Sequence, residues 1–372
     1  MRILLTGGGT GGHTTPLIAV VREIKKISIE KGQPIPEFLY LGPNGFSKEL
    51  LEKENIKTKI VLAGKLRRYF SFLNFLDSIK LPIGVIQAIW HIFVFMPDVV
   101  FSKGGYGSVP GVLASRFFHI PVILHESDTI PGIANKFLSG FANRIAISFA
   151  MSTKFFPQNK TALTGNPIRE NIARGTIELA KSAFGLNSNK PIIFIFGGSQ
   201  GAQPINELIL QILPDFLEKY ELIWQTGITN YEEIIKKTKE ILKPMPDNCH
   251  IAAFMDENLI SGAFAASTLV VSRAGASNIF EIAACAKPSI LIPLPNSASD
   301  HQRENAFEYA KTGGAIVIEQ TNLTPHLFLN EISKLMENSE LLQKMAADAK
   351  SFAMPDASRK IAEEILKLAI KK

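Results

Sequence analysis

Two glycine-rich loops, each directly behind a short apolar strand, constrain this chain most: Arg2-Ile-Leu-Leu-Thr6 runs into Gly7-Gly-Gly-Thr-Gly-Gly-His13, and Ile192-Ile-Phe-Ile-Phe196 runs into Gly197-Gly-Ser-Gln-Gly-Ala202. A strand that ends in glycines and opens a helix collects backbone N–H groups and the positive end of a helix dipole at one point, which suits a diphosphate. Two such points imply two Rossmann-like, doubly wound α/β domains facing across a cleft. The length of 372 residues agrees, because a single core stops growing at about 250–300 residues.

Strands are expected at 2–6, 38–41, 98–101 and 121–124 in the first half, with a first long helix over 15–31. Such alternation of strand and helix argues for a parallel sheet covered on both faces. After Thr164-Gly-Asn-Pro-Ile-Arg169 comes a polar stretch containing Gly175, Gly185, Asn187 and Asn189, the expected linker. The alternation then resumes, with strands near 191–196, 221–225, 249–253, 268–272, 289–293 and 315–319, and three helices close the chain after Pro325, the last capped by Asp356. The domains therefore divide as 1–166, and 167–355.

The formal charge of +6 and the pI near 9.1 describe a modest basic excess that selects no partner by itself. Cys249 and Cys285 are the only cysteines, too few for a disulfide framework and not at zinc-ligand spacing. Arg2 leads straight into a strand, with no apolar core of a signal peptide, so a cytoplasmic protein is expected. Two apolar pieces break the soluble pattern. Residues 66–76 mix aromatics with Arg67 and Arg68 in the manner of an interfacial membrane anchor, whereas 83–96 reads as a buried helix packed on the sheet.

Ligands of open α/β sheets bind beyond the carboxyl ends of the strands, so chemistry is sought there. Gly7-x-Gly9-x-x-Gly12 fits a dinucleotide fingerprint, but the second strand ends Tyr40-Leu41-Gly42-Pro43 without the carboxylate that holds a ribose. His13 begins the first helix, where the positive helix end favours the neutral imidazole a base needs. Lys103-Gly-Gly-Tyr106-Gly-Ser-Val-Pro-Gly111 gives a bulky substrate access to the backbone, and His125-Glu126-Ser127-Asp128 sets two carboxylates at the same edge. In the second half, Ser199 and Gln200 offer donors to phosphate oxygens, Glu281 is placed to accept a ribose diol, and Asp300-His-Gln302 opens a helix with sugar-hydroxyl partners. No Asp-x-Asp occurs, so charge on a leaving diphosphate falls to helix ends and Arg169, and metal-independent transfer is expected.

These residues carry a resemblance. Gly8-Gly-Thr-Gly-Gly-His13, Gly104-Gly-Tyr-Gly-Ser-Val-Pro-Gly111, His125-Glu126, Pro131-Gly-x-x-Asn135, Gly165-Asn-Pro-Ile-Arg169, Gly197-Gly-Ser-Gln-Gly201, Gln225-Thr-Gly227, Arg273-x-Gly-Ala276 with Glu281, and Asp300-His-Gln-x-x-Asn-Ala306 run nearly end to end. The chain resembles glycosyltransferase family 28, within it the bacterial enzymes that move N-acetylglucosamine from UDP-GlcNAc to a lipid-linked muramyl-pentapeptide. The resemblance implies the GT-B architecture, with the C-terminal helix (356–372) returning to the first domain. It also implies inversion at the anomeric carbon, no cofactor or metal, no nucleic-acid partner, and a peripheral position on the cytoplasmic face of the plasma membrane, docked on anionic lipid by the segment around 66–76. Carried over by position, Thr10, Gly11, Gly12, Arg169 and Ser199 serve the donor diphosphate side. Met255 falls at the uracil, the run Ala276, Ser277, Asn278, Ile279, Phe280 and Glu281 at the diphosphate and ribose, and Gln302 at the sugar hydroxyls. His13, Glu126 and Asp128 are the candidate bases on the acceptor side, with Tyr106 and Asn135 nearby.

Two departures stand out. The family usually reads His-Glu-Gln-Asn where this chain has His125-Glu-Ser-Asp128, so an amide that touches substrate has become a carboxylate. The helix start after Ala276 reads Ser277-Asn278 where a Leu-Thr pair is common. Glycosyl transfer to a diacylglycerol, 2-epimerisation of UDP-GlcNAc and non-catalytic sugar-nucleotide binding are the competing functions. The apolar segment at 66–96 argues against the epimerase.

Overall fold

The structure, a computed structural model, describes all residues except 9–10, 45–46, 65–71, 199–200 and 371–372. The chain forms two compact units, Met1–Ile168 with Met354–Lys372, and Arg169–Ala353.

The first unit contains β1 (Arg2–Thr6), α1 (Gly11–Glu30), β2 (Glu37–Gly42), α2 (Ser47–Lys53), β3 (Lys57–Ile60), α3 (Phe72–Phe95), β4 (Val99–Ser102), α4 (Val109–Phe117), β5 (Val122–Glu126), α5 (Ile133–Leu138), β6 (Arg144–Ile147) and β7 (Thr161–Leu163). Its sheet has the order β3-β2-β1-β4-β5-β6-β7, with parallel pairing throughout. The order reverses at β1, which puts the first glycine loop at the switch point where such sheets bind ligands. Successive strand residues point to opposite faces, and both faces are apolar. Ile3 and Leu5 pack with Leu17, Val20 and Ile24 of α1, while Leu4 packs with Ala88 and Ile92 of α3.

The second unit contains α6 (Ile177–Phe184), β8 (Ile192–Phe196), α7 (Gln203–Lys219), β9 (Glu221–Gln225), α8 (Tyr231–Ile241), β10 (Cys249–Ala252), α9 (Glu257–Ala266), β11 (Leu269–Ser272), α10 (Ala276–Ala284), β12 (Ser289–Leu291), α11 (His301–Ala310), β13 (Ala315–Val317), α12 (Pro325–Met336) and α13 (Ser339–Phe352). Its parallel sheet has the order β10-β9-β8-β11-β12-β13, so the second glycine loop also lies at a switch point. The last helix, α14 (Ala357–Ile370), belongs to the first unit. It buries Ile361, Ala362, Ile365, Leu366 and Ala369 in the α1 side of that core, and Arg359 reaches Glu23 (3.2 Å) and Glu30 (3.0 Å) of α1.

Three findings depart from the sequence reading. The strands β3, β6 and β7 were not anticipated; β3 and β7 are largely exposed, and β3 reads Lys-Thr-Lys-Ile, without the apolar run that marks the central strands. The stretch expected to be a linker folds as α6, capped by Thr176 Oγ1 at Leu179 N–H (3.1 Å), ended by Gly185 at φ 69°, and packed on α9. Residues 83–96 are not a buried helix. Ala88 and Ile92 face the sheet, but Ile86, Trp90, Phe93 and Val94 are each more than half exposed.

Candidate functional site

In the first unit the candidate residues gather where β1, β4 and β5 end. His13 lies in the first turn of α1, its ring wedged between glycines: a Cβ at Gly8 would stand 3.0 Å from His13 Nδ1, and one at Gly105 3.2 Å from Nε2. Gly104 and Gly105 have φ of 80° and 78°, and any side chain at Gly104 would overlap the Asn135 amide. This loop needs its glycines both for conformation and for room. Tyr106 follows, half-buried.

Glu126 ends β5 and is buried. Its Oε1 accepts Asp128 N–H (2.9 Å), and its Oε2 accepts Asn135 Nδ2 (2.8 Å) and Gly132 N–H (3.3 Å), so this carboxylate ties down the loop that leads into α5. Burial, then the charge of Asp128, push Glu126 up to about 7, opposed by those hydrogen bonds and by Lys103. Asp128 is half-buried and does not cap α5, whose N-cap is Gly132. His125 is fully buried, with Nε2 bonded to Gly165 O (3.2 Å) and Ser148 Oγ (3.3 Å), so it buttresses the site from beneath. Sequence reasoning passed over Lys103. Its side chain is buried, and its ammonium donates to Ser127 Oγ, which donates in turn to Asn166 Oδ1 (2.8 Å). Nothing in a glycine-loop lysine distinguishes a buried one from a solvated one.

In the second unit Glu281 of α10 is fully buried, and neither carboxylate oxygen has a hydrogen-bond partner. Arg169 Nε stands 3.1 Å from Oε1, a charge contact without hydrogen-bond geometry. Burial raises the Glu281 pKa, and Arg169 opposes it. A buried carboxylate with two open acceptors is costly unless a ligand supplies donors. Helix α10 starts at Gly275 with no side-chain cap, α11 starts at Asp300 with Ser297 Oγ accepting Gln302 N–H (3.2 Å), and α9 and α12 are capped by Asp256 and Thr324. The uncapped start of α10 follows β11 and leaves a positive helix end open to an anion.

Ile279 and Phe280, expected at the substrate, turn their side chains into the core, Phe280 against Phe352 at 5.1 Å between ring centroids. They can offer a ligand only backbone. Met255 is likewise buried and donates its N–H to Gln225 Oε1 (3.2 Å), while Gln225 Nε2 donates to Gly198 O (3.1 Å). Gln225 thus joins the glycine loop after β8 to the segment after β10. Ala276 is buried, Ser277 and Asn278 are half-buried, and Asn278 Nδ2 donates to Ser272 Oγ (2.9 Å). Arg273 is structural, donating to Ile292 O, Pro293 O and Gln320 Oε1. Gln302 accepts Leu294 N–H (3.0 Å), and its loop holds Asn296, Ser299 and Asp300 at φ of 56°, 60° and 55°. Three non-glycine residues in the left-handed region store strain, a pattern that clusters at ligand clamps. Thr10, Ser199, Gln200 and the segment 65–71 lie outside the described residues. Gly11 and Gly12 open α1.

Two Rossmann-like units, each presenting a glycine loop at the switch point of its parallel sheet, have the build of the GT-B class of glycosyltransferases. The model of the glycosyltransferase family 28 N-terminal domain matches residues 3–147, and that of the C-terminal domain matches 192–361. A UDP-N-acetylglucosamine–N-acetylmuramyl-(pentapeptide) pyrophosphoryl-undecaprenol N-acetylglucosamine transferase from Bacillus cytotoxicus is 37% identical over 376 residues, covering 100% of both chains. The crystal structure of MurG from Acinetobacter baumannii matches with a TM-score of 0.74 at 26% identity, covering 98% of this chain and 99% of that one. The UDP-GlcNAc 2-epimerase of Neisseria meningitidis shares the fold at TM-score 0.68 and 15% identity, over 99% and 100%. The chain belongs to glycosyltransferase family 28.

Proposed function

We infer that this chain is a UDP-GlcNAc-dependent N-acetylglucosaminyltransferase of peptidoglycan synthesis, moving GlcNAc to undecaprenyl-pyrophosphoryl-MurNAc-pentapeptide. The observation that carries this reading is the end-to-end match to a relative of that name at 37% identity. In this reading the second unit holds the donor. Glu281 takes the two ribose hydroxyls, the open start of α10 with Arg169 takes the diphosphate, backbone near Met255 takes the uracil, and Gln302 takes the sugar. The first unit holds the acceptor, with His13, Tyr106 and Asn135 lining its site. Glu126 is occupied in holding the loop, and of the two remaining candidates, His13 and Asp128, we assign the hydroxyl proton to Asp128, the half-buried carboxylate of that loop. The oxygen then attacks the anomeric carbon from the face opposite UDP, inverting the centre.

Purified protein given UDP-GlcNAc and a short-chain lipid-linked muramyl-pentapeptide, with EDTA present, is expected to release UDP only when the acceptor is added. UDP release that ignores the acceptor, or none despite UDP binding, would overturn the assignment.

A lipid-linked acceptor calls for a membrane-facing surface. No helix among the described residues is long and apolar enough to cross a membrane. The exposed face of α3 continues through Trp90, Phe93 and Phe118, with ring centroids 6.5 Å apart at each step, to Phe117 beside the exposed Arg116. Aromatics flanked by cations suit the headgroup boundary of an anionic leaflet, and we assign this face, on the cytoplasmic side of the plasma membrane, to lipid contact. Replacing Trp90 and Phe93 together by Ser should weaken binding to anionic vesicles about 100- to 10,000-fold, since each buried aromatic is worth roughly 1.5–3 kcal/mol, and leave turnover of a water-soluble acceptor unchanged. Co-sedimentation unchanged by the double substitution would reject this face.

A further inference from the structure

Strand β9 lies between β8 and β10 in the second sheet, and Gln225 is its last residue, level with Phe196 on one side and Ala252 on the other. Neighbouring strands run about 4.8 Å apart, so a long side chain at this point can reach the loops that leave both neighbours. Gln225 reaches both. Its Nε2 donates to Gly198 O (3.1 Å) in the glycine loop after β8, and its Oε1 accepts Met255 N–H (3.2 Å) in the segment after β10. The next residue completes the hold: Thr226 N–H donates to Ala252 O (3.0 Å), and Gly201 packs so closely on Thr226 O that a Cβ there would overlap it. The Gln225 side chain is buried with both polar atoms bonded to backbone, which makes it a fixed spacer between two loops. A glutamate would set a second acceptor against the Gly198 carbonyl.

The strand order gives this spacer a meaning. It runs β10-β9-β8-β11, so the Met255 segment stands on one side of Gln225, and the glycine loop and the open start of α10 stand on the other. We propose that Gln225 is a positioning residue for donor specificity: it holds the base-reading segment and the phosphate-side glycine loop at the spacing of a uridine diphosphate before the ligand arrives. This inference rests on the donor-site reading above, in which backbone near Met255 takes the uracil. A nucleoside diphosphate binds by both ends at once. A site whose ends are already set need not order them on binding, and one whose ends drift binds more weakly by the fraction of time the spacing is right.

The test is calorimetry of UDP and of CDP on the wild type, Gln225→Met and Gln225→Glu. The two nucleotides differ only along one edge of the pyrimidine, a carbonyl and a ring N–H in one against an amino group and a bare ring nitrogen in the other. Gln225→Met, close in length and volume but without either bond, should weaken UDP by about 5- to 100-fold, the range for two neutral hydrogen bonds, and narrow the wild-type preference for UDP over CDP by about threefold or more. Gln225→Glu keeps the acceptor for Met255 N–H and loses the donor to Gly198 O, so it should weaken UDP yet keep that preference. In turnover, KM for UDP-GlcNAc should rise by more than kcat falls. Equal losses for UDP and CDP in Gln225→Met, with a lower melting temperature, would show Gln225 to be merely structural and overturn the proposal. Should Gln225→Met fail to fold, Gln225→Glu decides, and UDP affinity equal to the wild type's would overturn it. A wild type that binds UDP no better than CDP would defeat the placement of uracil near Met255, and the inference with it.

Discussion

Glu281→Gln is expected to cut kcat/KM for UDP-GlcNAc by about 100- to 10,000-fold, corresponding to two hydrogen bonds to a charged group at roughly 1.5–3 kcal/mol each. The same variant should melt at a higher temperature than the wild type when no ligand is bound. Both effects have one cause. Glu281 is buried, and among the described residues Arg169 is its one close cation, with no side-chain hydrogen bond of good geometry to either oxygen, so its charge is a burden to the empty protein and, in the proposed donor site, an asset once a diol arrives. The sign with pH follows. Burial raises the folded-state pKa above 4.5, so the stability contribution of this group is present below that value and lost as pH rises through the folded pKa. The variant loses nothing there, and its advantage in melting temperature should widen from pH 5 to pH 8. Arg169, one-quarter exposed, keeps access to water when its partner is neutralised. A variant with undiminished UDP affinity would remove Glu281 from the donor site, and one that melts lower at pH 8 would refute the stored cost.

Asp128→Asn and Glu126→Gln separate proton acceptance from scaffolding. Asp128→Asn should lower kcat by about 100- to 10,000-fold, the usual worth of a general base, with the melting temperature within a degree or two and UDP affinity unchanged. Glu126→Gln should behave differently. Wherever its amide nitrogen falls, it faces an N–H donor, either Asp128 or the pair Gly132 and Asn135. Leaving a buried donor unmet costs about 1–3 kcal/mol, or roughly 2–10 °C for a unit of this size, and the loss of activity should follow the loosened loop. Thermal unfolding and kcat measured on both variants decide the matter. A large drop in kcat for Glu126→Gln at full stability, with Asp128→Asn near normal, would return the base to Glu126.

What the sequence by itself determined is whatever depends on local chemistry. Apolar strands ending in glycine, such as 2–6 and 192–196, lead into close-approach loops, so the doubled fold and the two glycine loops at its switch points were legible. So was the place of Glu281, one and a half turns into its helix behind β11. The tertiary structure decided burial and pairing, which depend on residues far apart in the chain. Lys103 is buried with its ammonium on Ser127, which comes from another loop and is itself held by Asn166 from a third. Glu126 ties its loop because Gly132 and Asn135 fold back onto it. The apolar run at 83–96 is as hydrophobic as a core helix, and periodicity cannot tell which neighbours cover it. Packing on the sheet uses Ala88 and Ile92 and leaves Trp90 and Phe93 outside. A side chain's type fixes what it can bond, and only the fold fixes whether the partner is water, protein or substrate.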